Sequence, residues 1–209
     1  MLQNRVNPRG ELCAVPSRGT LMGNRGILHD ANQRIVKPWA HHAWVTCLLE
    51  YKGIQRPRPF STPNNYSELF FLDEATAFSA GHRPCNFCQR ERAQAFKTAW
   101  FKANPDACKE VSLKALDSVL HRERVDRNKN KLTYDARLDS LPVGAFFVWK
   151  NLFLAKTRQG CLEWSFDGYR PGPTVPASEV VQVLTPRSVV NAFAQGFEPR
   201  FHATALNAS

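Results

Sequence analysis

The sequence predicts an α+β protein: small antiparallel sheets around a central helical region, with a cysteine knuckle in that middle part. Three observations predict it. Runs of β-formers punctuated by glycine occupy both ends of the chain. Apolar residues recur at helical spacing in its middle. A hydrophobic share of 43% beside a charged share of 22% is that of an ordinary packed domain.

The elements follow in order. Residues 1–60 read as strand-rich, with β-formers at 11–16 and 43–51 and turns at Gly10, Gly19, Gly23, Gly26 and Gly53. A Pro- and Asn-rich loop over 55–65 then displays Arg56 and Arg58 to solvent. Residues 73–80 predict a short helix stopped by Gly81, a common residue just past a helix end. Ala93, Phe96, Ala99, Trp100 and Ala103 repeat at helical spacing until Asn104-Pro105. Ser112 opens a third helix with Leu113, Leu116 and Leu120 on one face, which dissolves into the charged tract 122–131. Strands are expected at 144–149, 152–156, 161–166 and 180–184, and a closing helix at 186–194 before Gly196. The organisation is thus a strand-rich region with knuckle and helix over 1–105. Residues 106–209 supply a helix, a basic tract, a β meander and a final helix, and the two parts form one compact unit.

Charge narrows the partners. Lys and Arg number 28 against 18 Asp and Glu, a net charge of +10, with a pI of about 9.6. Such an excess favours a polyanion, through release of counterions from phosphates. No apolar run approaches the roughly 20 residues of a membrane span, and Met1-Leu2-Gln3-Asn4-Arg5 leads into no signal region. The expected location is cytoplasmic, with no membrane and no evident protein partner.

The six cysteines are unevenly spread, and without export they are not expected as disulfides. Cys85 and Cys88, separated by two residues and stiffened by Pro84, suit the grip of one tetrahedral ion. A redox pair usually opens a helix after a strand, whereas this pair follows a helix and a glycine. Cys47, in a strand-like run, is the third candidate ligand. His29 is the preferred fourth, followed by Cys13, with His82 and His121 behind them. A closed four-ligand set of this kind predicts a zinc knuckle holding a structural Zn2+ ion. Cys108 and Cys161, and Cys13 if unligated, read as small core residues.

The stretch from Phe70-Phe71-Leu72-Asp73-Glu74 through Ala80-Gly81-His82-Arg83-Pro84-Cys85-Asn86-Phe87-Cys88 resembles the second half of the zinc module of Ada-type DNA alkylation-repair proteins. The match is tight over residues 70–88 and loose over 43–103. The resemblance implies a zinc-stabilised knuckle that binds DNA. In that family two further cysteines complete the zinc set, and one thiolate accepts a methyl group. Here Cys47 alone stands in that region, so the acceptor role does not carry over. The whole chain also resembles an uncharacterised bacterial family, through residues 44–47, 68–88, 120–124 and the closing Leu184-Thr185-Pro186 helix start.

Several residues could carry chemistry. Glu68, Asp73 and Glu74 flank an apolar run, where a carboxylate can be tuned to meet a developing sugar cation. Asp73 and Glu74 also fit the first turn of a helix, but Glu68 has no such role. His121 and Glu123 sit among Arg122, Arg124 and Arg127 as a base beside a phosphate clamp, or as a solvated helix end. Trp164, Phe166 and Tyr169 precede Arg170, and an exposed Tyr169 would stack a flipped base. The sequence therefore predicts a DNA glycosylase of repair or antiviral defence, with Glu68, Asp73, His121 and Glu123 as its catalytic residues. Arg56, Arg58, Arg83, Arg122, Arg124, Tyr169 and Arg170 are its expected nucleic-acid contacts. Two alternatives are a non-catalytic DNA-binding module and a metal-dependent nuclease built on His41-His42. The nuclease needs a later Asn and His on the following helix, which has neither before Asn104.

Overall fold

A computed structural model describes residues 1–53 and 59–208. The fold is mixed α+β, as the sequence predicts. Among the described residues two six-stranded sheets form. The first contains β1 (Arg5–Val6), β2 (Leu12–Cys13), β3 (Leu21–Asn24), β4 (Val45–Leu48), β5 (Leu69–Phe71) and β6 (Arg83–Pro84). Its order is β2-β1-β5-β3-β4-β6, with β1–β5 and β4–β6 parallel and the other pairs antiparallel. The second contains β7 (Tyr134–Arg137), β8 (Phe146–Trp149), β9 (Leu152–Lys156), β10 (Cys161–Ser165), β11 (Gly168–Pro171) and β12 (Val180–Val183). It is antiparallel throughout, in the order β11-β10-β9-β8-β12-β7. The helices are α1 (Glu74–Ser79), α2 (Arg90–Ala103), α3 (Leu113–Arg124) and α4 (Arg187–Ala194).

Local chemistry sets these boundaries. The Asp73 carboxylate accepts from the Thr76 amide and starts α1, and the Ser112 hydroxyl accepts from the Ala115 amide and starts α3. Gly81, at φ +85°, ends α1, and a Cβ there would meet the Arg124 side chain at 2.5 Å. Lys150 and Asn151, at φ 48° and 65°, turn β8 into β9, the left-handed pair that a tight hairpin requires.

Six residues are too few for a helix to persist on its own. Tertiary burial holds α1 instead, for all six of its side chains are buried. Ala77 packs with Val6, Leu69 and Phe71 of the first sheet. Ala75 packs with Phe146, Ala155 and Trp164 of the second. Phe78 meets Phe96 of α2, Phe193 of α4 and Phe197 in a layer that also contains Trp100, Leu116 and Leu120. Polar contacts reinforce this placement. Trp164 Nε1 donates to Thr76 Oγ1 at 3.0 Å, and Arg92 Nη2 contacts the Glu74 carboxylate at 2.6 Å.

Several strands differ from the sequence reading, among them β6, which forms only by pairing with β4. β3 contains Gly23, read from the sequence as a turn, because a Cβ there would meet the Phe71 ring at 2.3 Å. A strand glycine commonly marks such a close approach. β5 is three buried residues without alternation, and β7 and β11 emerge only through pairing with β12 and β10. Conversely, α3 continues to Arg124, its last turn carrying His121, Arg122 and Arg124, where cations suit the helix dipole. No helix among the described residues is long and apolar enough to cross a membrane.

Candidate metal centre and cationic cleft

Pairing of β4 with β6 assembles the candidate metal centre. The Cys85 amide donates to Thr46 O at 2.9 Å, and Gln89 Nε2 donates to the same oxygen at 2.8 Å. The knuckle thereby lies against β4 and brings in Cys47. The sulfurs of Cys47, Cys85 and Cys88 lie within 4.8 Å of one another. A tetrahedral site with metal–sulfur bonds of ~2.3 Å spaces its sulfurs by ~3.8 Å, so a small closure seats one ion. The three cysteines can hold a metal ion. A hydrogen bond from Cys47, and then the Cys88 and Phe87 amides, hold the Cys85 thiol below its ordinary pKa. Cys47, the donor of that bond, is pushed upward by it and by burial. All six cysteines are free.

The fourth ligand is a correction. His29 does not approach the thiols: its Nδ1 pairs with Ser67 Oγ at 2.5 Å and its Nε2 with Thr62 O at 3.3 Å. Cys13 lies on β2, at the opposite edge of the sheet from β6. His82 is buried against Trp44 and Phe71 and accepts from Arg25 Nε at 3.2 Å. Among the described residues the ligand set stops at three sulfurs.

A cleft of about 640 Å³ opens where the chain enters β4. Arg9, Arg25, Lys37, Arg124, Lys129 and Lys131 line it, together with Trp39 and Trp44, and Glu11 is the one acid among its described lining residues. The Trp44 ring carries the Arg25 guanidinium at 4.1 Å and that of Arg124 at 3.8 Å, a favourable cation–π arrangement. Only 2% of Arg25 and 1% of Arg124 is exposed. Loss of hydration lowers the pKa of Arg25 to about 9. Burial first, and then Arg25 and Arg124, bring Lys131 down to about 7. Near the cleft, His121 stacks on His42 at 3.8 Å. Burial and then Arg124 push the His121 pKa down to about 4, so it is neutral at pH 7.

The carboxylates expected to be catalytic are held by protein donors. Glu68 is buried and accepts from the Ser61 amide at 2.6 Å. Asp73 is a correction: it accepts from Thr76 N and Oγ1, Tyr169 OH and His202 N, all within 2.9 Å, closed off from solvent. Burial raises its pKa against the pull of those four donors. Glu123 accepts from the Ser188 amide and hydroxyl at 3.1 and 2.6 Å, capping the first turn of α4. None of the three lines the cleft.

Three expected nucleic-acid contacts are also corrected. Arg83 is buried and bidentate to Asp117, with both bonds 2.7 Å. Arg124 is buried with its guanidinium on Trp44, donating to the Gly81 and His42 carbonyls. It therefore belongs to the cleft floor and is not the exposed contact that the sequence predicts. Tyr169 is buried and donates its hydroxyl to Asp73 at 2.8 Å, so it cannot stack a base. Arg122 is exposed, as is Arg170, which pairs with Glu163. Arg56 and Arg58 lie outside the described residues. Asn104, the partner sought for a His41-His42 nuclease, is buried and bonded to the Trp100 and Ser188 carbonyls.

Sequence reasoning missed Arg25, Lys131, Trp39 and Glu11. These come from separate segments, and only the folded chain brings them together. Comparison with protein-family models, curated proteins and solved structures finds no match.

Proposed function

We propose a zinc-stabilised DNA-binding protein whose three-cysteine centre fixes one wall of a cationic cleft. The observation that carries it is the cleft itself, with six cations against one acid and two tryptophan rings. Thiolate donors favour a soft or borderline metal such as zinc. The ion would clamp β4 to the knuckle, and β4 begins next to Trp44 of the cleft. The net charge of +10 and the resemblance of residues 70–88 to Ada-type modules support DNA as the polyanion. Free thiols suit the reducing cytoplasm.

Fluorescence anisotropy with a short duplex across a salt series tests this reading. Lys37 and Lys129 are exposed at the cleft. Lys37→Glu with Lys129→Glu is expected to weaken binding and to shallow the log–log salt slope by about 2, one unit per lost phosphate contact. An unchanged slope and affinity would remove the cleft from the interface. Base excision is a second reading, favoured by Glu11, an exposed carboxylate on the cleft wall. It predicts abasic sites in damaged or modified DNA that disappear with Glu11→Gln. Tight binding without abasic product leaves a binding module.

A further inference from the structure

We propose that Arg25, Arg124 and Lys131 form a phosphomonoester site on the cleft floor, which takes the terminal phosphate of a nucleic-acid strand. The strand as its source rests on the DNA-binding reading above. These cations come from the residue after β3, the end of α3 and the loop beyond it, and they converge on the C-terminal end of α1. Lys131 Nζ donates to Ser79 O at 2.6 Å, Arg124 Nη1 to Gly81 O at 2.8 Å and Arg25 Nη2 to Gly10 O at 3.1 Å. Carbonyls orient the three heads but do not neutralise them, and a helix end contributes at most about half a negative charge.

Among the described residues no carboxylate pairs with any of the three. Asp117, the acid that acts on Arg124, is already bound by both arms of the Arg83 fork. Arg25 and Arg124 are buried and Lys131 half-buried; cations so placed without a counter-charge are costly, and burial lowers the pKa of Arg25 and Lys131 accordingly. Arg124 Nε is buried with no hydrogen-bond partner, although Arg124 lines the cleft. Arg124 also donates Nη2 to His42 O and Arg25 donates Nε to His82, so neither presents a free fork; a phosphate supplies the missing charge, and acceptors for the donors that remain. A terminal monoester carries about −1.5 to −2 and three acceptor oxygens, closer to this excess than the single charge of an internal diester. Half-buried Trp39, on the same cleft, can stack the terminal base.

The test uses the full chain and one oligonucleotide sequence with 5′-phosphate, 3′-phosphate or hydroxyl ends, read by anisotropy. Thermal shifts with inorganic phosphate and a mononucleotide, against chloride at equal ionic strength, run alongside. One phosphorylated end is expected to bind about tenfold tighter than the hydroxyl end, the order of one charge-assisted contact set. Lys131→Gln, a half-buried position, is expected to bring that ratio near one. Both phosphate and the mononucleotide should raise the wild-type melting temperature above chloride, whatever the variant's own folding. Equal binding of all ends with no such rise overturns the site while leaving the DNA reading intact. A rise with phosphate and mononucleotide, but no strand binding, keeps the phosphomonoester site and overturns the DNA reading.

Discussion

Replacing both knuckle cysteines, Cys85→Ser with Cys88→Ser, is expected to abolish the binding of one metal ion per chain, zinc on the reading proposed above, and to lower the melting temperature by roughly 8–16 °C. In isolated zinc fingers the ion supplies about 10–16 kcal/mol, because nothing else holds the fold. Here the β4–β6 pairing, Gln89 and the α2 packing remain, so the expected loss is smaller, about 4 kcal/mol, the upper range of single-site losses. At about 2–4 °C per kcal/mol for a chain of this size, the shift follows. Metal content after dialysis, and the thiolate charge-transfer band after cobalt substitution, read the site directly. His29→Ala is expected to keep its zinc, since both ring nitrogens bond elsewhere. A metal-free wild type with reduced thiols and an unshifted double variant would remove the zinc centre.

The second large effect is at Arg83. Its bidentate pair with Asp117 is buried, the side chains 7% and 6% exposed. Removing one partner strands a buried charge, at a cost of about 3–5 kcal/mol. Arg83→Met is therefore expected to lower the melting temperature by roughly 6–20 °C, and Asp117→Leu similarly. The double variant recovers most of the loss, because an apolar pair of similar volume removes both stranded charges. Denaturant unfolding of the two single variants and the double measures the coupling. A single-variant cost below about 1 kcal/mol would place the pair among ordinary surface bridges. The DNA salt slope of Arg83→Met is expected to match wild type, since this guanidinium meets a carboxylate and not solvent.

Where sequence carried its own punctuation, the fold was legible. Asp73, Ser112 and Gly81 mark helix ends through local hydrogen bonds and a left-handed φ, all available within a few residues. The strands from Phe146 to Ser165 have enough β-formers and turns to be read alone. β3 and β5 are not legible in this way, because the role of Gly23 depends on Phe71, 48 positions away. The same limit applies to the sites. Cys85 and Cys88 were readable from spacing and Cys47 from its strand. Whether His29 reaches them depends on Ser67 and Thr62, which no local pattern reveals. Arg83, Arg124 and Tyr169 look like surface contacts in sequence because each sits among polar neighbours. Their partners, Asp117, Trp44 and Asp73, lie on other elements.

The placement of α1 makes the polypeptide indivisible. Its six residues are enclosed by the first sheet, the second sheet and the α2–α4 layer, while Asp73 and Glu74 collect donors from Tyr169, His202, Arg92 and Arg200. A fragment ending near residue 105 would expose Ala75 and Phe78 and leave both carboxylates without the donors of Tyr169, Arg200 and His202. The remaining fragment would lose the floor on which Trp164 and Phe146 rest. Neither piece is expected to fold as a stable body on its own, and the intact chain is expected to melt as a single cooperative unit.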